Sequence, residues 1–144
     1  MPGIHSTQRF KAIGETPSRF LAMYSIGSAD VYTSEGYKKI GGGGQSARFH
    51  PCYQLWTRNL FDGAARAPAV GEGQRVLAFD REQRGARGEL GSLESRALWL
   101  NAVGLHMTTK YRAIVVLDAG EAEPSPAISG SCLYKPFTTV LGKQ

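Results

Sequence analysis

The alternation of apolar and polar positions predicts two strands at the beginning of the chain. In IHSTQRFKA (residues 4–12), Ile4 and Phe10 fall on one face and Arg9 and Lys11 on the other, as in a strand with one buried face. The almost wholly apolar run RFLAMYSI (residues 19–26) is typical of a central strand buried on both faces. The link IGETPS between them is rich in turn residues, so we expect a hairpin.

A helix is expected over residues 28–40. Ser28 suits its N-cap, and Lys38 and Lys39 complement the negative end of the helix dipole. Further strands are predicted at residues 52–61, 74–81, 110–119 and 131–141, and a second helix at residues 93–104. Because Pro136 has no backbone N–H, the last strand is expected to be an edge strand or an irregular tail.

This order of elements predicts an α+β fold with a ferredoxin-like antiparallel sheet and helices on one face. Residues 1–62 would form a β-β-α-β part and residues 63–144 a β-α-β-β part, packed into the same compact domain. One interpretation makes the chain a truncated tandem of two such units. A sheet with one uncovered apolar face needs a second sheet, so we expect a homodimer.

Length and composition indicate a globular protein of one domain. The chain has 144 residues, of which 42% are hydrophobic and 20% are charged. No apolar run approaches the ~18 residues that a membrane span requires. A basic start followed by an apolar stretch is absent as well, so no secretory signal is visible and a cytoplasmic location is expected.

The net charge of +5 changes this picture little. The basic residues are scattered along the sequence, and the densest stretch, residues 81–87, also contains an acid. Such a stretch is typical of a solvated loop and not of a surface that follows a phosphate backbone. A small anionic molecule could still be attracted, whereas nucleic acid is not the expected partner.

Motifs for metals, cofactors and nucleotides are absent from the sequence. Cys52 and Cys132 lie far apart with no CxxC pair, which gives no zinc signal and suggests free thiols in a reducing compartment. The glycine run at residues 41–44 is not a phosphate loop, and neither GxxxxGK[ST] nor strand-GxGxxG-helix occurs. No G-x-S-x-G is present either. We therefore expect neither a metal nor a cofactor.

His5, His106 and Tyr24 are the candidate catalytic residues. An imidazole titrates near neutral pH and can act as a base or a hydrogen-bond donor in a cavity, and a tyrosine phenol can act as an acid. The alternatives are an exposed strand residue for His5 and a core residue with one hydroxyl partner for Tyr24.

The stretch LWTRNLFDG supplies the candidate substrate-binding residues Trp56, Arg58 and Asn59. If it is a strand, Trp56 and Arg58 share one face. An arginine beside a tryptophan can bind a carboxylate or stack on a ring, and Asn59 could donate to a developing oxyanion. Alternatively, Arg58 and Asn59 only satisfy backbone groups near the end of the strand.

PGIHSTQRFKA followed by PSRFLAMYSI resembles the middle of the EthD-like, dimeric α/β-barrel family, over roughly residues 2–61. In that family a strand ends in Arg plus an aromatic residue, as in Arg9 and Phe10. The resemblance implies a ferredoxin-like dimer. It also implies a small cofactor-independent enzyme, or a degenerate one, of lyase, dehydratase, cyclase or oxygenase type that acts on a hydrophobic or aromatic metabolite. The alternative is a non-catalytic ligand-binding or structural protein of the same architecture.

One departure from the family pattern concerns the beginning of the chain. The family unit starts with a strand and a helix that often bears an aromatic residue and a histidine serving the active site, whereas here Pro2 and Gly3 come first. The start could lie upstream of Met1, the fold could be permuted, or the chain could be one and a half units of a duplicated ancestor. We favour a truncated or duplicated ancestor of two units.

Overall fold

The computed structural model describes residues 3–40, 57–84 and 88–142. The described part of the chain is mostly antiparallel sheet and has only short helical elements. The strands are β1 (Ile4–Ala12), β2 (Phe20–Ile26), β3 (Asn59–Asp62), β4 (Arg75–Arg81), β5 (Leu98–Leu105), β6 (Tyr111–Leu117), β7 (Cys132–Pro136) and β8 (Leu141–Gly142). Within the described ranges, the helical elements are two 3-10 turns, η1 (Ala29–Thr33) and η2 (Gly91–Arg96), and one short α-helix, α1 (Glu35–Ile40).

All the described strands belong to one antiparallel sheet. Their order is β2-β1-β7-β4-β6-β5-β3, and β8 pairs with β1 beside β7. The sheet curls into a half-barrel. The hairpin of β1 and β2 is confirmed, with Thr7 opposite Tyr24 and Lys11 opposite Phe20. Strands from the two ends of the sequence are neighbours, because β1 pairs with β7.

The expected α+β, ferredoxin-like fold with helices on one face is wrong. The predicted helix at residues 93–104 is instead η2 followed by strand β5. Leu93 and Ala97 pack on one side of the sheet, whereas Leu98 and Leu100 pack on the other. On a single helix face these four residues would all contact the same side of the sheet. The two-residue spacing of Leu98 and Leu100 is the period of a strand.

The helix expected at residues 28–40 is broken in the middle. Ser28 is the N-cap as predicted, since its Oγ accepts from the backbone N–H of Asp30 at 3.2 Å. At Ser34 the backbone is extended, with φ −67° and ψ 146°, and this separates η1 from α1. Two such short pieces cannot cover the face of a sheet.

Two strands lie where the sequence does not predict them. β2 ends the order of the sheet, although its apolar run favours a central strand, and Tyr24 is 49% exposed. β7 lies between β1 and β4, although Pro136 favours an edge. Pro136 is the last residue of β7, so its missing N–H does not interrupt the strand.

The sheet has a hydrophobic cluster on each face. The face that includes Phe10 is covered by Ala67 and Val70, which belong to the segment between β3 and β4. The face that includes Leu77 is covered over β4 and β6 by Leu90, Leu93 and Ile128. On this second face, Arg9, Lys11, Phe20, Ala22 and Tyr24 of β1 and β2 are exposed, whereas Thr7 is partly buried. Burial on both faces is therefore a property of the central strands.

Candidate functional site

The curling of the sheet brings its two ends together at an arginine and a tyrosine. β2 and β3 are the outermost strands of the sheet order. Arg58, immediately before β3, donates from Nη1 to the Oη of Tyr37 at 3.1 Å. Tyr37 lies in α1, which follows β2 and η1. We call Tyr32, Tyr37, Arg58 and His106 the tyrosine–arginine cluster.

The two tyrosine rings of the cluster pack edge to face. Their centroids lie 5.0 Å apart with 84° between the ring planes, a favourable arrangement for aromatic pairs. The break at Ser34 holds them in place: its hydroxyl donates to the carbonyl of Val31 at 2.7 Å and accepts from the N–H of Tyr37 at 3.2 Å. Val31 is buried and anchors η1.

Burial raises the pKa of Tyr32 above its ordinary value. The neighbouring Tyr37 and Tyr24 hydroxyls add to the rise, and the positive charge of Arg58 opposes it. Tyr32 therefore keeps its proton at neutral pH. It can donate a hydrogen bond or present its ring to a ligand, but it is a poor base.

Arg58 and His106 are held together through the backbone of Arg58. The N–H of Arg58 donates to Nδ1 of His106 at 3.1 Å, and the N–H of His106 donates to the carbonyl of Arg58 at 2.9 Å. The side chain of Arg58 reaches Tyr37, as described above.

His106 lies between two residues with a left-handed backbone, Leu105 at φ 61° and Met107 at φ 48°. This conformation is uncommon for residues with such side chains and concentrates at functional sites. The turn is fastened by Asn59, whose Nδ2 donates to Thr108 Oγ1 at 2.9 Å and whose Oδ1 accepts from Thr108 N at 2.8 Å. Both ends of the Asn59 amide thus serve to position the turn.

The structure brings together two of the residues proposed from the sequence, Arg58 and His106, and places Tyr24 near enough to influence Tyr32. His5 lies elsewhere, at the beginning of β1, where a Cβ added to Gly27 would come within 3.0 Å of its Nε2. Trp56 lies outside the described residues. The catalytic and substrate-binding roles of His5, Tyr24, His106, Trp56, Arg58 and Asn59 stay predictions.

Sequence reasoning missed Tyr32 and Tyr37 as members of the site. Residues five apart lie on different sides of a continuous helix, so a helix over residues 28–40 separates these rings. Only the break at Ser34 lets them meet. An ST-type turn at Ser34 is the signal that could have indicated the break.

Two cavities lie away from the cluster. One, of about 210 Å³, is bordered by Ile13, Glu15 and the free Cys132, whose Sγ lies 3.6 Å from the Oγ1 of Thr16. The other, of about 240 Å³, is bordered by Arg84 and Trp99, with the guanidinium 5.9 Å from the ring centroid. Within the described ranges, no group of three or more His, Cys, Asp or Glu could hold a metal ion.

In the part of the chain that the structure describes, no helix has the length and apolar character needed to cross a membrane. Comparisons of the chain with protein-family models, curated proteins and solved structures found no match. The geometry of the chain's own residues is therefore the basis for inferring its function.

Proposed function

We propose that the chain binds a small aromatic compound with a carboxylate or another anionic group at the tyrosine–arginine cluster. The observation that carries the proposal is the guanidinium of Arg58, 3.1 Å from the Tyr37 hydroxyl beside the packed rings of Tyr32 and Tyr37. A guanidinium pairs with a carboxylate through two parallel hydrogen bonds. Tyrosine rings supply edges and faces for the ring of a ligand.

Binding without catalysis agrees best with how the polar groups are used. The raised pKa of Tyr32 disfavours it as a base. Nδ1 of His106 accepts from the backbone, and the Asn59 amide is bonded to Thr108. These groups support the position of Arg58, which is the role expected of residues that preorganise a binding site.

The test is titration of the full chain with matched pairs of carboxylates and amides, beginning with benzoate and benzamide, then indole-3-acetate and its amide. We expect the carboxylates to shift the NMR signals of Tyr37 and of the Arg58 side chain in a saturable manner, and the amides to bind at least about 10-fold more weakly because they have no charge to pair. Arg58→Gln should abolish the preference. Its backbone N–H, which holds His106, remains.

Arg84→Gln is the matched control, because Arg84 is likewise an arginine beside an aromatic residue, with its guanidinium over the Trp99 ring in the second cavity. The control variant should bind the carboxylates like the unaltered chain. Equal loss in both variants, or equal affinity for acids and amides, would contradict the proposal.

A cofactor-independent enzyme acting on the same ligand is a second candidate function. The observation that favours it is the position of His106 between two left-handed residues beside Arg58. His106→Asn should then stop the turnover of a bound aromatic carboxylate, followed by NMR of the ligand. Its dissociation constant should change little, because the Oδ1 of Asn can accept from the N–H of Arg58 in place of Nδ1. If no carboxylate in the series is converted, only the binding role remains.

The cytoplasmic location and the homodimer expected from the sequence stay predictions. A dimer would be supported by a molar mass near twice that of the chain in light scattering after gel filtration. A monomeric mass over the accessible concentration range would contradict it.

A further inference from the structure

The exposed half of the sheet combines cations and aromatic rings on one face. Register places Lys11 opposite both Phe20 and Lys135, so their side chains share a face. Phe137 follows on the chain from β7, and its ring meets that of Phe20 with 6.4 Å between centroids. The basic–aromatic face is defined by Arg9, Lys11, Phe20, Lys135 and Phe137.

The aromatic rings of this face are unusually accessible. Phe20 is 62% exposed and Phe137 is 63% exposed, although large apolar side chains are normally buried. Their rings approach each other across β1, which carries Arg9 and Lys11 between β2 and β7. A partner would therefore meet cations and ring surfaces side by side.

All charges of the basic–aromatic face are positive, and their arrangement destabilises the sheet locally. Strands β1, β2 and β7 contain no acidic residue. Among the described residues, Arg9, Lys11 and Lys135 form no ion pair. Lys11 and Lys135 are directly opposite in the ladder, where like charges destabilise a sheet. A destabilising pair of like charges that no other contact compensates is expected at a surface kept for function.

We infer that this face binds single-stranded nucleic acid. A single strand presents a charged backbone together with unpaired bases, and it uses both features of the face: cations track the phosphates, and the flat rings stack on the bases. A duplex hides the faces of its bases, and an acidic peptide needs no flat ring. The net charge of +5 adds attraction at long range. This inference is independent of the tyrosine–arginine cluster.

The first experiment measures anisotropy of fluorescein-labelled oligo-dT and oligo-U of ~20 nucleotides with the full chain, against a duplex of equal length. We expect the single strands to bind more tightly than the duplex. Each neutralised phosphate contributes about −0.7 to the slope of log K against log salt. Three cations therefore predict a slope of about −2. Equal or tighter binding of the duplex, or no binding at low salt, would overturn the inference.

A double variant and a matched control test the contribution of the lysines. Lys11→Gln with Lys135→Gln should reduce the magnitude of the salt slope by about 1.4. The control, Lys38→Gln with Lys110→Gln, removes the same charge from lysines that pair with Glu35 and Glu82, and it should leave that slope unchanged. An equal effect of both variants would show a general charge effect and overturn the inference.

Phe20→Leu with Phe137→Leu keeps an apolar surface and removes the flat rings. Binding of the single strand should weaken about 5-fold or more, because a leucine cannot stack on a base. Undiminished binding of the single strand would instead indicate that the face needs only an apolar surface. Equal binding of anionic phospholipid vesicles by the unaltered chain and this variant would indicate the same. Either result overturns the inference.

Chemical-shift mapping of the unaltered chain is the measurement that does not depend on variants. Addition of oligo-dT should perturb the amides of β1, β2 and β7 around the basic–aromatic face. Perturbations centred on Arg58 and Tyr37 would assign the binding to the other site and refute the placement.

Discussion

β6 and β2 are similar in sequence and differ in surroundings. YRAIVVL and FLAMYSI are both strands of seven mostly apolar residues. In β6, Ala113, Ile114 and Val115 are all buried, whereas in β2 buried Met23 alternates with exposed neighbours. β6 lies between two strands and is covered on both faces, and β2 ends the sheet. An apolar run thus shows that a strand forms without showing where it lies in the sheet.

The largest expected effect compares one residue type in the two regions. Phe79 in β4 is 2% exposed and Phe20 in β2 is 62% exposed. Phe79→Ala should lower the free energy of unfolding by about 3–5 kcal/mol, through lost burial and a cavity. Phe20→Ala should cost less than about 1 kcal/mol, since it loses mainly the contact with Phe137. Urea titration checks both values, and similar losses would refute the contrast between centre and edge.

The second prediction concerns the cover over β1. Gln8 is 4% exposed; its Nε2 donates to the carbonyl of Val70 at 2.8 Å, and its Oε1 accepts from the N–H of Val70 at 3.1 Å. Gln8→Leu leaves buried backbone groups unpaired and should cost about 2–4 kcal/mol. Gln74→Leu, which breaks partly exposed hydrogen bonds, is the control. Its loss of stability, also measured by urea titration, should be clearly smaller. A loss as large as that of Gln8→Leu would contradict the stabilising role of the Gln8–Val70 hydrogen bonds.

The third prediction concerns pH at β7, between the two regions. Burial raises the pKa of Tyr134 from its usual 10.0 to about 12. Between these values the folded protein holds a proton that the unfolded chain has released, so this contribution is complete below pH 10 and is lost as pH rises towards 12. The unaltered chain should lose about 1–2 kcal/mol more than Tyr134→Phe over this window. Parallel pH curves for the two proteins in chemical denaturation would contradict the assignment.

The smallest expected effect has the opposite sign. Lys135→Thr removes one of two like charges that are directly opposite on the exposed face. The change should stabilise the fold by about 0.2–0.5 kcal/mol at low salt and by less at high salt. Thermal unfolding at two salt concentrations would show it. A destabilised variant would indicate that Lys135 serves the fold and weaken the interpretation of this face as a binding surface.

Local signals in the sequence predicted several elements correctly. The alternation around Phe10 predicts β1, and the apolar run around Val115 predicts β6. Ser28, with Asp30 in the first turn after it, marks the N-cap. Residues 93–104 show the limit of such signals. The spacing of Leu93, Ala97, Leu98 and Leu100 is that of one helix face. In the structure, however, the first two residues and the last two lie on opposite faces of the sheet.

The candidate site was predicted only in part. Arg58 and His106 were identified by the chemistry of their side chains, but no periodicity places them together. Their contact depends on the pairing of β3 with β5 and on left-handed backbone at Leu105 and Met107. Side chains of this kind do not favour that conformation, so the sequence carries no signal for it.

By itself, then, the sequence determined that β1 and β2 form a hairpin and that β4 and β6 are strands, because these features depend on residues one to four positions apart. The tertiary structure decided which strands are central, which apolar faces are covered, and which charges meet. Arg9 and Lys135 are scattered in the sequence and become near neighbours only because β1 pairs with β7. Such pairings join residues from opposite ends of the chain, and their free energy comes from burial of the whole sheet and not from any local pattern.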